Sequence, residues 1–252
     1  MSRNDEINRI IKESILQAQD SIFSCKAPED PNVLTFDGII AEGNCAPDLL
    51  FLLKEANDGR DSSRKDKPDF SEGFDFIAHA RREAKAQSGR KPTHWDNLCY
   101  WAKAYQDAVQ KDSHYFYDTS VQNCGGLLGE ISLVNIKKAP GARATDGDKF
   151  IHTVTNPVCA ALVRNEISLI APKVVVCCGT YEYAKELYKE LFSAEVQLSC
   201  GAYYFMYKDI CFLEFIHPTQ YGAAAKRSLT YAYAKEVFQN LVDNNDCDMQ
   251  NN

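Results

Sequence analysis

The chain has 252 residues, 45% of them hydrophobic and 25% charged, with 13 Gly and 9 Pro. This composition excludes collagen-like, coiled-coil and largely disordered architectures and leaves material for a sizeable core. Formal net charge is -7, which on average repels nucleic acid and acidic membranes. The average hides a partition. Residues 54–91 hold ten basic and eight acidic side chains, residues 137–149 four and two, and residues 217–230 two and none, so these windows carry +6 and the remainder -13. No window approaches the roughly 18 apolar residues of a membrane span, and the start, MSRNDEINRIIKES, is charged where a secretory signal is apolar. The expectation is a soluble, cytoplasmic monomer with no membrane partner. Ten Cys with no C-x2-C pair among them read as reduced, mostly buried thiols, without structural zinc or an iron–sulfur cluster.

In chain order, Ile7, Ile11 and Ile15 recur at four-residue spacing among charged residues and predict a peripheral amphipathic helix within residues 1–25. Four apolar runs follow: Leu49–Leu53, Ile131–Ile136, Val174–Cys178 and Ile210–Ile216. Their near-continuous hydrophobicity suits strands covered on both faces. Helical patterns lie between and after them at Phe74–Gln87, Trp95–Lys111, Pro157–Ile170, Tyr181–Leu191 and Ala223–Val242. The alternation predicts one domain over residues 1–252, a three-layer α/β/α sandwich around a four-stranded, mainly parallel sheet. Ala202–Tyr207 is a candidate antiparallel hairpin partner of the last strand, and residues 243–252 form a polar tail.

In such sheets ligands collect beyond the carboxyl ends of the strands. That directs attention to four tips: KEANDGR (Lys54–Arg60), VNIKKAPGAR (Val134–Arg143), CCGT (Cys177–Thr180) and FIHPTQYG (Phe215–Gly222). On a strand, Cys177 and Cys178 must point to opposite faces and read as small buried thiols. Gly179 reads as the turn that lets strand meet helix. His79 and His94 on helical stretches, with His114 and His152 in loops, occupy no motif and read as surface or core.

Taken in order, these tips resemble the uracil-DNA glycosylase superfamily, whose chains carry a first-strand G-E-A-P-G or G-Q-D-P-Y motif and a last-strand H-P-S or H-P-A. VNIKKAPGARATD is similar to the N-x-x-K-C-R-P-P-x-N-R segment of the iron–sulfur-containing class. APKVVVCCGTYEYAK is similar to that class's P-K-x-x-x-x-x-G-x-x-x-A stretch. The resemblance spans about Leu49 to Ala234 and implies a uracil-DNA-glycosylase-like α/β/α fold. Two departures stand out. Lys54-Glu55-Ala56-Asn57-Asp58 lacks the first Gly and the Pro of G-E-A-P-G, and Lys138 stands where the iron–sulfur class has a cluster Cys.

The resemblance implies a DNA base-excision N-glycosylase that hydrolyses the N-glycosidic bond of uracil or a related damaged base, with DNA as partner and no metal or other cofactor. Cleavage builds positive charge on the sugar and negative charge on the departing base. Glu55 is the candidate carboxylate for the sugar cation, with Asp58 in reserve. His217 is the candidate donor to the base anion, a role worth roughly 3 to 4 kcal/mol. Asn135 matches the family Asn that pairs with the base edge. Phe70 in KPDF is the candidate stacking ring, and Asn57 and Asp58 complete the expected base-binding set. Lys137, Lys138, Arg143, Lys226 and Arg227 are candidate phosphate contacts. Two rival readings use the same crevice: a nucleotide- or nucleic-acid-binding module without catalysis, and a hydrolase of a free nucleoside or nucleotide.

Overall fold

The computed structural model describes residues 1–25, 33–43, 45, 47–54, 73–85, 94–112, 125–139, 147–192, 194–218 and 231–244. Along the chain these form α1 (Arg3–Gln17), α2 (Gln19–Ser24), β1 (Thr35–Phe36), β2 (Gly38–Ile39), β3 (Leu49–Leu53), β4 (Phe74–Asp75), α3 (Phe76–Lys85) and α4 (His94–Val109). A 3-10 turn (Gly125–Glu130), β5 (Ser132–Asn135), α5 (Gly147–Thr155), α6 (Pro157–Ile170), β6 (Val174–Cys178) and α7 (Tyr181–Tyr188) follow. The last elements are β7 (Glu195–Gln197), β8 (Tyr203–Tyr207), β9 (Ile210–Phe215) and α8 (Tyr231–Asp243).

The four apolar runs become β3, β5, β6 and β9, which lie side by side and parallel in the order β5-β3-β6-β9. Their side chains alternate between two cores. Leu49, Phe51, Leu53, Val174, Val176 and Cys178 pack with α3, α4 and α8, whereas Leu50, Leu52, Val175 and Cys177 pack with α1, α5, α6 and α7. Helices therefore cover both faces, and Cys177 and Cys178 do face opposite ways.

The expected four-stranded sheet is corrected to a seven-stranded mixed one. Antiparallel β2 joins beyond β5, while antiparallel β8 and β7 extend the other edge beyond β9. The Tyr203–Tyr207 hairpin strand was legible from its apolar residues. β2 is only two residues long and β7 is three exposed residues, too short or too polar for an alternation to register. A separate parallel pair joins β1 to β4. Among the described residues, no helix is long and apolar enough to cross a membrane.

Local chemistry fixes the frame. A capping box of Ser2 and Asp5 starts α1. Asn156 caps α6 by accepting from Val158 N and Cys159 N, Pro157 takes the first helical position, and Ala171 ends the helix in the left-handed region at φ 52°. α1 is more tightly tied to the sheet than a peripheral helix needs to be. Asn8 exchanges two 2.8 Å hydrogen bonds with the Ile39 backbone, and fully buried Asn4 donates to Ala41 O and Cys45 O. Gly38, at φ 144°, makes this approach possible, because a Cβ there would stand 2.5 Å from Asn8 Oδ1.

Candidate functional site

The order of the parallel strands selects one place on the sheet. The first strand in sequence, β3, lies between the second, β5, and the third, β6. The chain thus leaves β3 in one direction and returns past it in the other. Such a switch point opens a crevice at the carboxyl ends of the two strands, here β3 and β6.

His217 lies beside that crevice, one strand further along. Its backbone is clamped against the turn after β6. Gly179 N donates to Phe215 O at 2.8 Å, and a Cβ on Gly179, itself at φ 66°, would stand 3.2 Å from His217 Cβ. The following residue is held from the other side, where Asn97 on α4 donates through Nδ2 to Pro218 O at 2.8 Å. Fully buried Thr180 donates to Leu52 O at 2.8 Å and ties the same turn to β3. The imidazole is half-buried. Burial first, and then the Lys54 charge at the end of β3, hold its pKa below the ordinary 6.5. At neutral pH the ring is therefore uncharged, with one nitrogen able to donate.

The end of β5 is built differently. Asn135 is fully buried. Its backbone N and its Nδ2 both donate to Asp37 Oδ2, at 2.5 and 3.0 Å, and among the described residues its Oδ1 has no hydrogen-bond partner. Asp37 Oδ1 accepts from Lys138 Nζ at 2.7 Å, and Lys138 also donates to Glu166 Oε2 at 2.5 Å. Each of these side chains is no more than 1% exposed. The phosphate-contact reading of Lys138 is thereby corrected: the ammonium points into the protein and is neutralised there, out of reach of any phosphate.

Charge within this cluster is unevenly shared. Burial opposes the charge on Lys138, but Asp37 and Glu166 outweigh it and raise the lysine pKa. Burial pushes the Glu166 carboxyl up to about 8, with Lys138 pulling it down and Asp37 adding to the rise. Near neutral pH Lys138 keeps its charge and Glu166 retains its proton. Among the described residues, the buried Glu166 Oε1 atom has no hydrogen-bond partner.

Asn135 and His217 thus share the carboxyl edge but are not brought together. Three strand spacings of about 4.8 Å separate β5 from β9, on the order of 14 Å, and the Asn135 amide is committed to Asp37. Lys137 is half-buried beside β3, with its N donating to Lys54 O at 2.9 Å. Glu55, Asn57, Asp58, Phe70, Arg143, Lys226 and Arg227 lie outside the described residues, as does His114. His79 packs between Phe74 and Trp95, and His152 lies in the last turn of α5 instead of a loop.

A cavity of about 10 Å³ lies beside Lys138 and not at His217, lined by Ile22, Cys25, Ile136, Lys137, Thr153, Cys159 and Leu162 besides Lys138 itself. Among the described residues, no three His, Cys, Asp or Glu side chains gather to hold a metal ion.

Sequence reading missed Asp37, Glu166, Lys54 and Asn97. Glu166 had a signal, since its spacing from Leu162, Val163 and Ile170 puts it on the apolar face of α6, where an unpaired carboxylate is costly. Asp37, between apolar TF and GII, had a weaker one. Lys54 was visible only as half of a Lys-Glu pair, and nothing in the sequence joins Asn97 to Pro218. The chain matches no protein-family model and no curated protein.

Proposed function

We propose that the protein is a uracil-DNA-glycosylase-like, metal-independent N-glycosylase that removes uracil or a related damaged base from DNA, with its reaction centred on His217. The observation that carries this reading is the state of the His217 imidazole: clamped at the end of a core parallel strand, next to the switch-point crevice, and kept neutral by burial and Lys54. A departing base gains negative charge. A neutral imidazole that donates to the base oxygen strengthens its hydrogen bond as that charge develops, and a preoriented donor needs no reorganisation to do so. Lys54 adds positive potential on the same side. Glu55 follows Lys54 directly in sequence, which supports its role as the carboxylate for the sugar cation.

Asn135 drops out of the expected base-binding set, because it is fully buried and its amide is held by Asp37. Lys137 and the basic residues Arg143, Lys226 and Arg227 supply the phosphate contacts, with Lys138 removed from that set. The test is incubation of the protein with uracil-, hypoxanthine- and xanthine-containing oligonucleotides, single- and double-stranded, followed by alkaline cleavage of abasic sites. Strand breaks above the undamaged control are expected for at least one base. No break with any of them, combined with duplex affinity that falls steeply with salt, would favour a binding module instead.

A further inference from the structure

We infer that Cys25 and Cys159 form a reversible disulfide site that joins the end of α2 to the first turn of α6, beside the cavity under the β5 tip. The two sulfurs are 3.9 Å apart, though the residues are 134 positions apart in sequence. Closing that gap to a bond of about 2.0 Å needs a contraction of about 2 Å, and the neighbouring cavity supplies room for the side chains to turn. Cys25 Sγ also lies 3.7 Å from His152 O, which accepts its hydrogen. Of the other described cysteines, Cys177 and Cys178 point to opposite faces.

The two sulfurs differ in a way that sets the order of events. Cys25 is half-buried at the end of α2, whereas Cys159 is buried on α6. Burial, and then Cys25 itself, push the Cys159 thiol up to about 12, so Cys159 is the poorer first nucleophile. With hydrogen peroxide as oxidant, Cys25 attacks one peroxide oxygen, becomes a sulfenic acid and releases water. Cys159 then attacks the Cys25 sulfur, forming the S–S bond and expelling the hydroxyl as a second water. The balance is two thiols and one peroxide to one disulfide and two waters. A dithiol reductant reverses it. Because Ile136, Lys137 and Lys138 line the same cavity, directly after Asn135, the bond forms where the β5 tip is supported. The inference does not depend on the glycosylase reading.

The experiment treats the reduced full chain with graded hydrogen peroxide, alkylates remaining thiols under denaturing conditions and maps the peptides by mass spectrometry. The expected result is a Cys25–Cys159 linked peptide that has lost two hydrogens, disappears with dithiothreitol, and arises at a lower peroxide dose than sulfinic acid at exposed Cys45. Cys25→Ser abolishes it. With Cys159→Ser, Cys25 instead accumulates as a sulfenic acid that dimedone traps. The inference is overturned if both thiols of the wild-type chain are recovered alkylated at doses that oxidise Cys45. It is equally overturned if Cys25 is carried to sulfinic acid while Cys159 stays reduced, or if Cys25 is found linked to another cysteine.

Discussion

The two ends of the parallel carboxyl edge place polar side chains in opposite circumstances. At the β5 end, Asn135, Asp37, Lys138 and Glu166 are closed off from solvent and linked to one another by hydrogen bonds. At the β9 end, His217 is only half-buried and is clamped chiefly through backbone. The first arrangement holds a loop in place; the second puts a half-buried ring beside the crevice. Burial, more than residue type, separates them. Lys137 and Lys138 are neighbours in sequence, yet one stands partly in solvent and the other is a core ion.

The sharpest way to break this contrast is to neutralise each lysine. Lys138→Met leaves Asp37 buried without its counter-ion and is expected to lower unfolding free energy by ~3 to 5 kcal/mol. Lys137→Met is expected to change it by less than about 1 kcal/mol. Urea unfolding of both variants measures the difference, and equal effects would show that the lysines are equivalent after all.

Next in size is the pH dependence of the β5 cluster. The folded pKa of Glu166, about 8, lies above its unfolded value of 4.5. Between these values the native chain keeps a proton that the unfolded chain has released, so this group's contribution to stability falls as pH rises through the window. Glu166→Gln removes the titration while keeping a neutral partner for Lys138. Relative to that variant, the wild type should lose up to roughly 4 kcal/mol between pH 4.5 and 8, read from urea unfolding at several pH values. Parallel curves for the two proteins would place the Glu166 carboxyl in an ordinary environment.

The smallest effect belongs to the β9 end. Burial is the larger cause of the lowered His217 pKa and Lys54 the second. Lys54→Met should therefore move the imidazole pKa upward while leaving it below 6.5, as followed by NMR titration of the ring protons. An unchanged value would remove Lys54 from the His217 environment.

How much of this was legible depended on the kind of signal. Apolar runs such as LLFLL and VVVCC exposed the four parallel strands because both faces of each are covered. Pro157–Ile170 was read to the residue, since Pro at one end and Pro172 beyond the other punctuate the helix. The tips followed from strand order. What escaped was whatever depends on contacts between distant segments. Lys138 was read as a surface cation because its neutralising partners, Asp37 and Glu166, are 101 and 28 positions away. Asn97 holding Pro218 spans 121 positions and has no local pattern at all. Short β2 and exposed β7 carry too few side chains to show a period.

In the proposed glycosylase, His217 is a transition-state donor and not merely the end of a strand. Single-turnover cleavage of a damaged-base oligonucleotide by His217→Ala, with binding and thermal unfolding measured on the same preparation, tests it directly. The expected result is a rate lower by roughly 10² to 10³, near-unchanged oligonucleotide affinity and a small change in unfolding midpoint. A variant that cleaves at the wild-type rate, or one whose lost activity only tracks a reduced folded fraction, would contradict it.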